Sequence, residues 1–252
     1  MGSQQISRKV AGSDNRPVAV IVPLLMLFAI TASAQTFTVL HNFGGSDGRY
    51  PTSTLVFDRA GNLYGTTEYG GTGNSGGDGV VFQLKPGNSG RWVFNPIHLF
   101  TGNRGTGDGA NPLDYGGLVF DSAGNLYGST TILGPNNGGT VFQLSPQGGL
   151  WVFGTIHAFS EGQGPDSALT LDAAGDLYGT TVGGGQFGNG QVFKLSHSGN
   201  GWTFTDLHDF FVNNDEGINP VGGITLDSSG NLCGTAGRSG ANGAGSVWEI
   251  TP

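Results

Sequence analysis

Imidazoles and carboxylates recur at matched positions along this chain. His41, His98, His157 and His208 each stand two residues before a phenylalanine, and Asp47, Asp108, Glu161 and Glu216 follow them. Four imidazoles invite a metal centre. Zinc needs its ligands about 2.0 Å from a single point, however, and copies of one outer-strand position in successive repeats point away from one another. The histidines are therefore expected to be buried and structural, each hydrogen-bonded within its own repeat, and His197 to be exposed. The carboxylates open the segments Asp47-Gly-Arg-Tyr-Pro51, Asp108-Gly-Ala-Asn-Pro112, Glu161-Gly-Gln-Gly-Pro165 and Glu216-Gly-Ile-Asn-Pro220. Carboxylate, Gly and Pro at fixed offsets satisfy a turn. Gathered from neighbouring repeats, the same carboxylates could bind a sugar or a hard cation such as calcium, whose oxygen ligands lie at about 2.3–2.6 Å. Tyr50 and Phe187 would supply stacking platforms beside them. Both roles, turn former and ligand, stand open.

Other chemistries find less support. Two Gly-x-Ser-x-Gly matches, Gly44–Gly48 and Gly73–Gly77, resemble a hydrolase nucleophile motif, but a chain with 49 glycines produces such matches by chance. Neither sits on the strand-turn-helix elbow that the nucleophile needs. Gly183-Gly-Gly185 precedes no helix N-terminus that could hold a phosphate. The single cysteine, Cys233, stands where other repeats have Tyr and reads as a small apolar filler. Catalysis requires groups with different roles, and the repeats offer no clear exception to their own pattern. No catalytic residue is assigned, and no resident cofactor is expected.

Composition narrows the partners. The net charge is −8 with no basic stripe, so nucleic acid is not an expected ligand. Arg8, Lys9 and Arg16 precede an apolar stretch from Val18 to Ile30, and Ala32-Ser33-Ala34 follows. This is the layout of a secretory signal peptide over residues 1–34, with cleavage after Ala34; an uncleaved anchor is the alternative. The apolar stretch is short for a membrane span, which needs about 20 residues. The mature chain is expected to be acidic, secreted and free of the membrane.

The elements that position these residues are written four times. Leu55-Val-Phe-Asp-Arg-Ala-Gly-Asn-Leu-Tyr-Gly-Thr-Thr67 returns in near-identical form at 118–130, 169–181 and 224–236. A Gly-rich loop follows each copy, then Val81-Phe-Gln-Leu84, Val141-Phe-Gln-Leu144, Val192-Phe-Lys-Leu195 or Val247-Trp-Glu-Ile250. Three segments ending in His-x-Phe close the units: 92–100, 151–159 and 202–210. Asp-x-x-Gly-Asn is a hairpin turn, with Gly at the left-handed position. Strict alternation would place Trp92, Phe94, His98 and Phe100 on one face of the last run and Val93, Ile97 and Leu99 on the other. Four strands per unit, apolar on both faces, predict an all-β fold: a four-bladed β-propeller occupying residues 35–252 as one domain. The fourth unit lacks its His-x-Phe strand. Phe37, His41 and Phe43 match Phe94, His98 and Phe100 in spacing, so the N-terminal strand is expected to close the last blade. A monomer is expected, with pairing of two chains into a larger ring as the alternative.

On these motifs the chain resembles the GloVer-type, or choice-of-anchor, tandem-repeat family, whose unit reads approximately D-x-x-G-N-L-Y-G-T-T, a Gly-rich loop, then G-x-V-F-x-L. The match extends over residues 36–252. More broadly, the hairpin is similar to those of NHL-like propellers. The resemblance implies an exported bacterial protein with a propeller-like fold, and it carries no established activity. Many members end in an anchoring segment; this sequence stops at Thr251-Pro252, so free secretion is the expectation. The expected function is non-catalytic binding of a polysaccharide or surface protein through the loop face. A propeller lyase or hydrolase acting on glycans or lactones, and a structural component of an extracellular matrix, are the alternatives.

Overall fold

The computed structural model describes residues 35–71, 76–103, 107–112, 117–199, 201–212 and 215–252. The expected leader and residues 73–75 of the second Gly-x-Ser-x-Gly match lie outside these. The chain divides into two units, Met1–Thr38 and Val39–Pro252, and all strands among the described residues fall in the second. The first sheet holds β1 (Val56–Phe57), β2 (Leu63–Thr67), β3 (Val80–Pro86) and β4 (Trp92–Leu99), each antiparallel to the next. The second repeats this order with β5 (Val119–Phe120), β6 (Leu126–Ile132), β7 (Asn137–Gln147) and β8 (Leu150–Ser160). The third follows with β9 (Thr170–Leu171), β10 (Leu177–Thr181), β11 (Gln191–Ser198) and β12 (Gly201–Asp209). In the fourth, β13 (Ile218–Pro220) and β14 (Thr225–Leu226) pair in turn along one edge of β15 (Leu232–Arg238), and β16 (Ser246–Ile250) takes the other.

Local chemistry sets the hairpins. Asp58 Oδ1 accepts the amides of Ala60 and Asn62, each at 2.9 Å, while Oδ2 accepts Asn62 Nδ2 at 2.7 Å and the Tyr64 hydroxyl at 2.9 Å. Gly61 takes φ 83°, in the left-handed region where a side chain costs about 1–2 kcal/mol. Asp121 and Asp172 repeat the bond to a tyrosine hydroxyl, from Tyr127 and Tyr178. Asp227 keeps the turn amides of Ser229 and Asn231.

Alternation fails at one repeated point. Val81 pairs with His98 and Phe82 with Pro96, so Ile97 is an extra residue; Ile156 and Leu207 are the extra residues in β8 and β12. A bulge of this kind inverts the faces beyond it. The expectation that Phe94 and His98 share a face is therefore corrected: Phe94 lies with Phe82 and Leu84, and His98 with Val81.

That inversion lets each sheet pack on both neighbours. Tyr64, Val81 and Phe100 meet Leu126, Phe142 and Leu144 of the second sheet. Tyr127, Val141 and Phe159 meet Leu177, Phe193 and Leu195 of the third. Tyr178, Val192 and Phe210 meet Ile224, Leu232 and Ala236 of the fourth. Burial of each such side chain stabilises by about 1.5–3 kcal/mol, so these interfaces dominate the fold's stability. Leu63, Val80, Phe82 and Leu84 of the first sheet are covered by Leu40 and Phe43. The result is an all-β, propeller-like succession of four four-stranded sheets. Residues 37–43 form no strand, and among the described residues β16 pairs with β15 alone. Val247 is 82% exposed, whereas Val81, Val141 and Val192 are fully buried.

Candidate functional site

The bulges aim the histidines. Beyond its bulge, His98 Nε2 bonds Asp108 Oδ2 at 2.6 Å; His41 bonds Asp47 at 2.9 Å, and His208 bonds Glu216. Three rings are also interface groups: His41 stacks on Phe94, His98 on Phe153 and His157 on Phe204. The expectation of buried imidazoles bonded within their own repeats is corrected: the four rings are half-buried, because His98, His157 and His208 sit on the edge strands of their sheets and His41 in no strand. Their bonds run to the turn that enters the following sheet, and where they stack they do so across the boundary between sheets.

Asp47 Oδ1 accepts the Gly44 amide at 2.7 Å, and Asp108 Oδ1 accepts the amide and hydroxyl of Thr101 at 2.9 and 2.8 Å. Burial works against ionisation of Asp47 and Asp108, but these bonds and the imidazoles outweigh it and hold both carboxyls below their ordinary value. Burial alone pushes His157 below its ordinary value. Among the described residues no three of His, Cys, Asp or Glu converge on a point that could hold a metal.

The carboxylate turns and the loops joining second to third strands meet on one face. Gly71 N donates to Gly45 O at 3.2 Å and Gly139 N to Gln163 O at 2.8 Å. Asn111 N donates to Asp78 O at 2.9 Å and Asn219 N to Asn189 O at 3.0 Å, joining the loop of one sheet to the turn that enters the next. Asp78 is half-buried beside Asp108, and burial followed by that neighbouring charge raises its pKa. Glu161 is exposed on this face.

One place on the face breaks the fourfold pattern. The residue before the turn proline is left-handed at Tyr50 (φ 56°), Asn111 (φ 54°) and Asn219 (φ 57°), and it is Gly164 in the third repeat. Asparagine and glycine tolerate that conformation; tyrosine does so only under strain. Tyr50 is 59% exposed. Its ring meets Tyr69 edge-on at 6.0 Å, and the Arg49 guanidinium lies 5.5 Å from the Tyr69 ring and 5.9 Å from that of Tyr50. Phe187 pairs with Phe211 at 4.6 Å, both partly exposed. Arg49, Tyr69 and Phe211 escaped the sequence reading; for Arg49 the signal was its departure, with Tyr50, from the Ala-Asn, Gln-Gly and Ile-Asn of the other turns. At the hairpin end, Phe57, Phe120, Trp151 and Arg59 line a cleft of about 400 Å³ between the first two sheets. Leucines replace the two phenylalanines in the later repeats, as Leu171 and Leu226. These groups can stack and attract.

The family model described as the Gloeobacter/Verrucomicrobia repeat matches residues 26–161 and 73–252. No curated protein matches the chain. Among solved structures, the extracellular domain of a one-component system protein from B. thetaiotaomicron is 16% identical with a TM-score of 0.48, covering 78% of this chain and 21% of its own. A protein described as a gluconolactonase is 16% identical with a TM-score of 0.44, covering 79% of this chain and 63% of its own. A protein from Dyadobacter fermentans is 13% identical with a TM-score of 0.40 over the same shares. The chain thus spans about a fifth of the first of these and less than two thirds of the others.

Proposed function

The chain belongs to the Gloeobacter/Verrucomicrobia repeat family, and we propose that it is an exported, non-catalytic propeller that binds a polysaccharide through its loop face. The observation that supports this reading is Tyr50: a large ring held in a left-handed conformation that Asn111 and Asn219 take in two other repeats, and left largely exposed. Strain kept at an exposed position points to a use for the side chain. A tyrosine beside an arginine offers a stacking face for the apolar side of a sugar ring and a donor for its hydroxyls. Phe187 with Phe211 is a second platform. Asp47, Asp108, Glu161 and Glu216 shape the turns and contribute negative potential around them. Residues 1–34 direct export and are removed, and residues 36–43 supply the missing strand of the fourth sheet.

A glycan array probed with the mature protein tests the reading. We expect a polysaccharide to be retained, and Tyr50→Asn to abolish the signal while raising thermal stability, because Asn relieves about 1–2 kcal/mol of backbone strain. Absence of any retained glycan, or undiminished binding by Tyr50→Asn, overturns it. Turnover of the bound glycan would instead make the protein a propeller enzyme.

A further inference from the structure

Three interfaces share one arrangement. An imidazole beyond the last strand's bulge, or at the matching place in residues 37–43, lies flat on a phenylalanine of the following sheet. The centroids are 4.4, 4.0 and 4.3 Å apart for His41–Phe94, His98–Phe153 and His157–Phe204, with planes within 12°. His208 is the fourth such ring. Among the described residues the ring it meets is its own Phe210, edge-on at 5.1 Å, and it lines a cavity of about 180 Å³ with its bonding partner Glu216 and with Trp248, Glu249 and Ile250. By the pattern, the ring that belongs there is carried on a strand beside β16, four residues before a histidine. Phe37, four residues before His41, is that ring, and it is 90% exposed.

We propose that the cavity beside His208 receives Phe37 of a second copy of this chain, the two copies exchanging residues 36–43 reciprocally to close one ring of eight sheets. The proposal rests on the reading above that this segment completes the fourth sheet, and adds which chain supplies it. The near-identical stacking of His98 on Phe153 and of His157 on Phe204 means that the first sheet is related to the second, and the second to the third, by nearly the same step. Were that step the one for a four-sheet ring, the fourth sheet would already lie against residues 39–43 and cover Val247. Instead Val247 is 82% exposed, while residues 41–43 are held on the first sheet by His41 and Phe43. The two ends of the array are complementary but apart. A second copy satisfies both with the same step repeated, and eight sheets is the upper end of the usual range of about four to eight blades, which three copies would exceed. The unpaired edge of β16 supplies backbone groups for the added strand, as in strand-addition complexes.

The register of β3 on β4, with Gln83 opposite Asn95, transfers to Glu249 opposite Thr38. Cross-strand Cα atoms about 4.5–5.5 Å apart lie within disulfide reach. The test is oxidation of the mature chain carrying Thr38→Cys and Glu249→Cys, with Cys233→Ser because Cys233 is the other neighbour of Glu249. We expect a covalent dimer on a non-reducing gel, and twice the chain mass by sedimentation before oxidation. Phe37→Asp in the unmodified chain should halve that mass. An internal disulfide in a monomer would overturn the exchange and leave the fourth-sheet reading standing; no disulfide of either kind would overturn both.

Discussion

Asp121 shows how much one side chain settles. Its carboxylate accepts the Asn125 amide, Asn125 Nδ2 and the Tyr127 hydroxyl, fixing the turn and the first residues of β6 together. Asp121→Ala should cost about 2–3 kcal/mol in urea unfolding, the range for charged hydrogen bonds left partly unmet. Asp227→Ala should cost less, because Cys233 replaces the tyrosine and brings no hydroxyl. Burial, with Asp58 beside it, pushes the Tyr64 hydroxyl up to about 12, so it stays protonated as a donor. Titration of His157 has a defined sign. Burial depresses its folded value, so the unfolded chain binds a proton that the folded chain resists. Its stabilisation is complete above the unfolded value of about 6.5 and declines as pH falls below it. Asp47 and Asp108 add a second decline at lower pH, since their stabilisation is present above the ordinary carboxyl value and lost as pH falls through their depressed ones. Melting followed from pH 8 to pH 4 should therefore show a first loss beginning near pH 6.5, absent in His157→Phe. The aspartate turns were legible in the sequence because their chemistry spans a few residues. The strain at Tyr50 was not, since a backbone angle becomes visible only when the repeats are compared in space.

The second strands β2, β6 and β10 carry Leu-Tyr-Gly, and β15 carries Leu-Cys-Gly, the glycine being kept for a reason of space. A methyl group on Gly128 would stand 2.5 Å from Phe142 Cζ and 2.7 Å from Leu118 Cδ2, and Gly65 and Gly179 are similarly overlaid by Phe82 and Phe193. The glycine leaves room for the phenylalanine that forms the sheet's packing surface. Gly128→Ala should destabilise by roughly 1–3 kcal/mol, read as a lower urea midpoint with an unchanged slope. Four strands per unit and their order were readable from periodicity and turns. The bulge was not. Its extra residues, Ile97, Ile156 and Leu207, are large and apolar and carry none of the glycine that usually marks a bulge. Missing it put His98 on the wrong face, and with that the stacking between sheets was hidden.

The whole molecule is a succession of repeated sheets in which each last strand also serves the next sheet. Residues 40–43 do this for the first sheet without being a strand: Leu40 and Phe43 cover its face, and His41 stacks on Phe94. The sequence announced that residues 37–43 copy a last strand. It could not announce how the succession ends, because that depends on a rotation accumulated over every interface rather than on any local motif. Completion of the fourth sheet by residues 36–43, from whichever chain, is the central claim, and amide hydrogen exchange of β16 tests it most directly. The account predicts slow exchange across Ser246–Ile250 in the mature protein, comparable to β3, β7 and β11, and fast exchange there once residues 36–43 are deleted. Fast exchange of β16 in the intact protein, with β3, β7 and β11 protected, would contradict it.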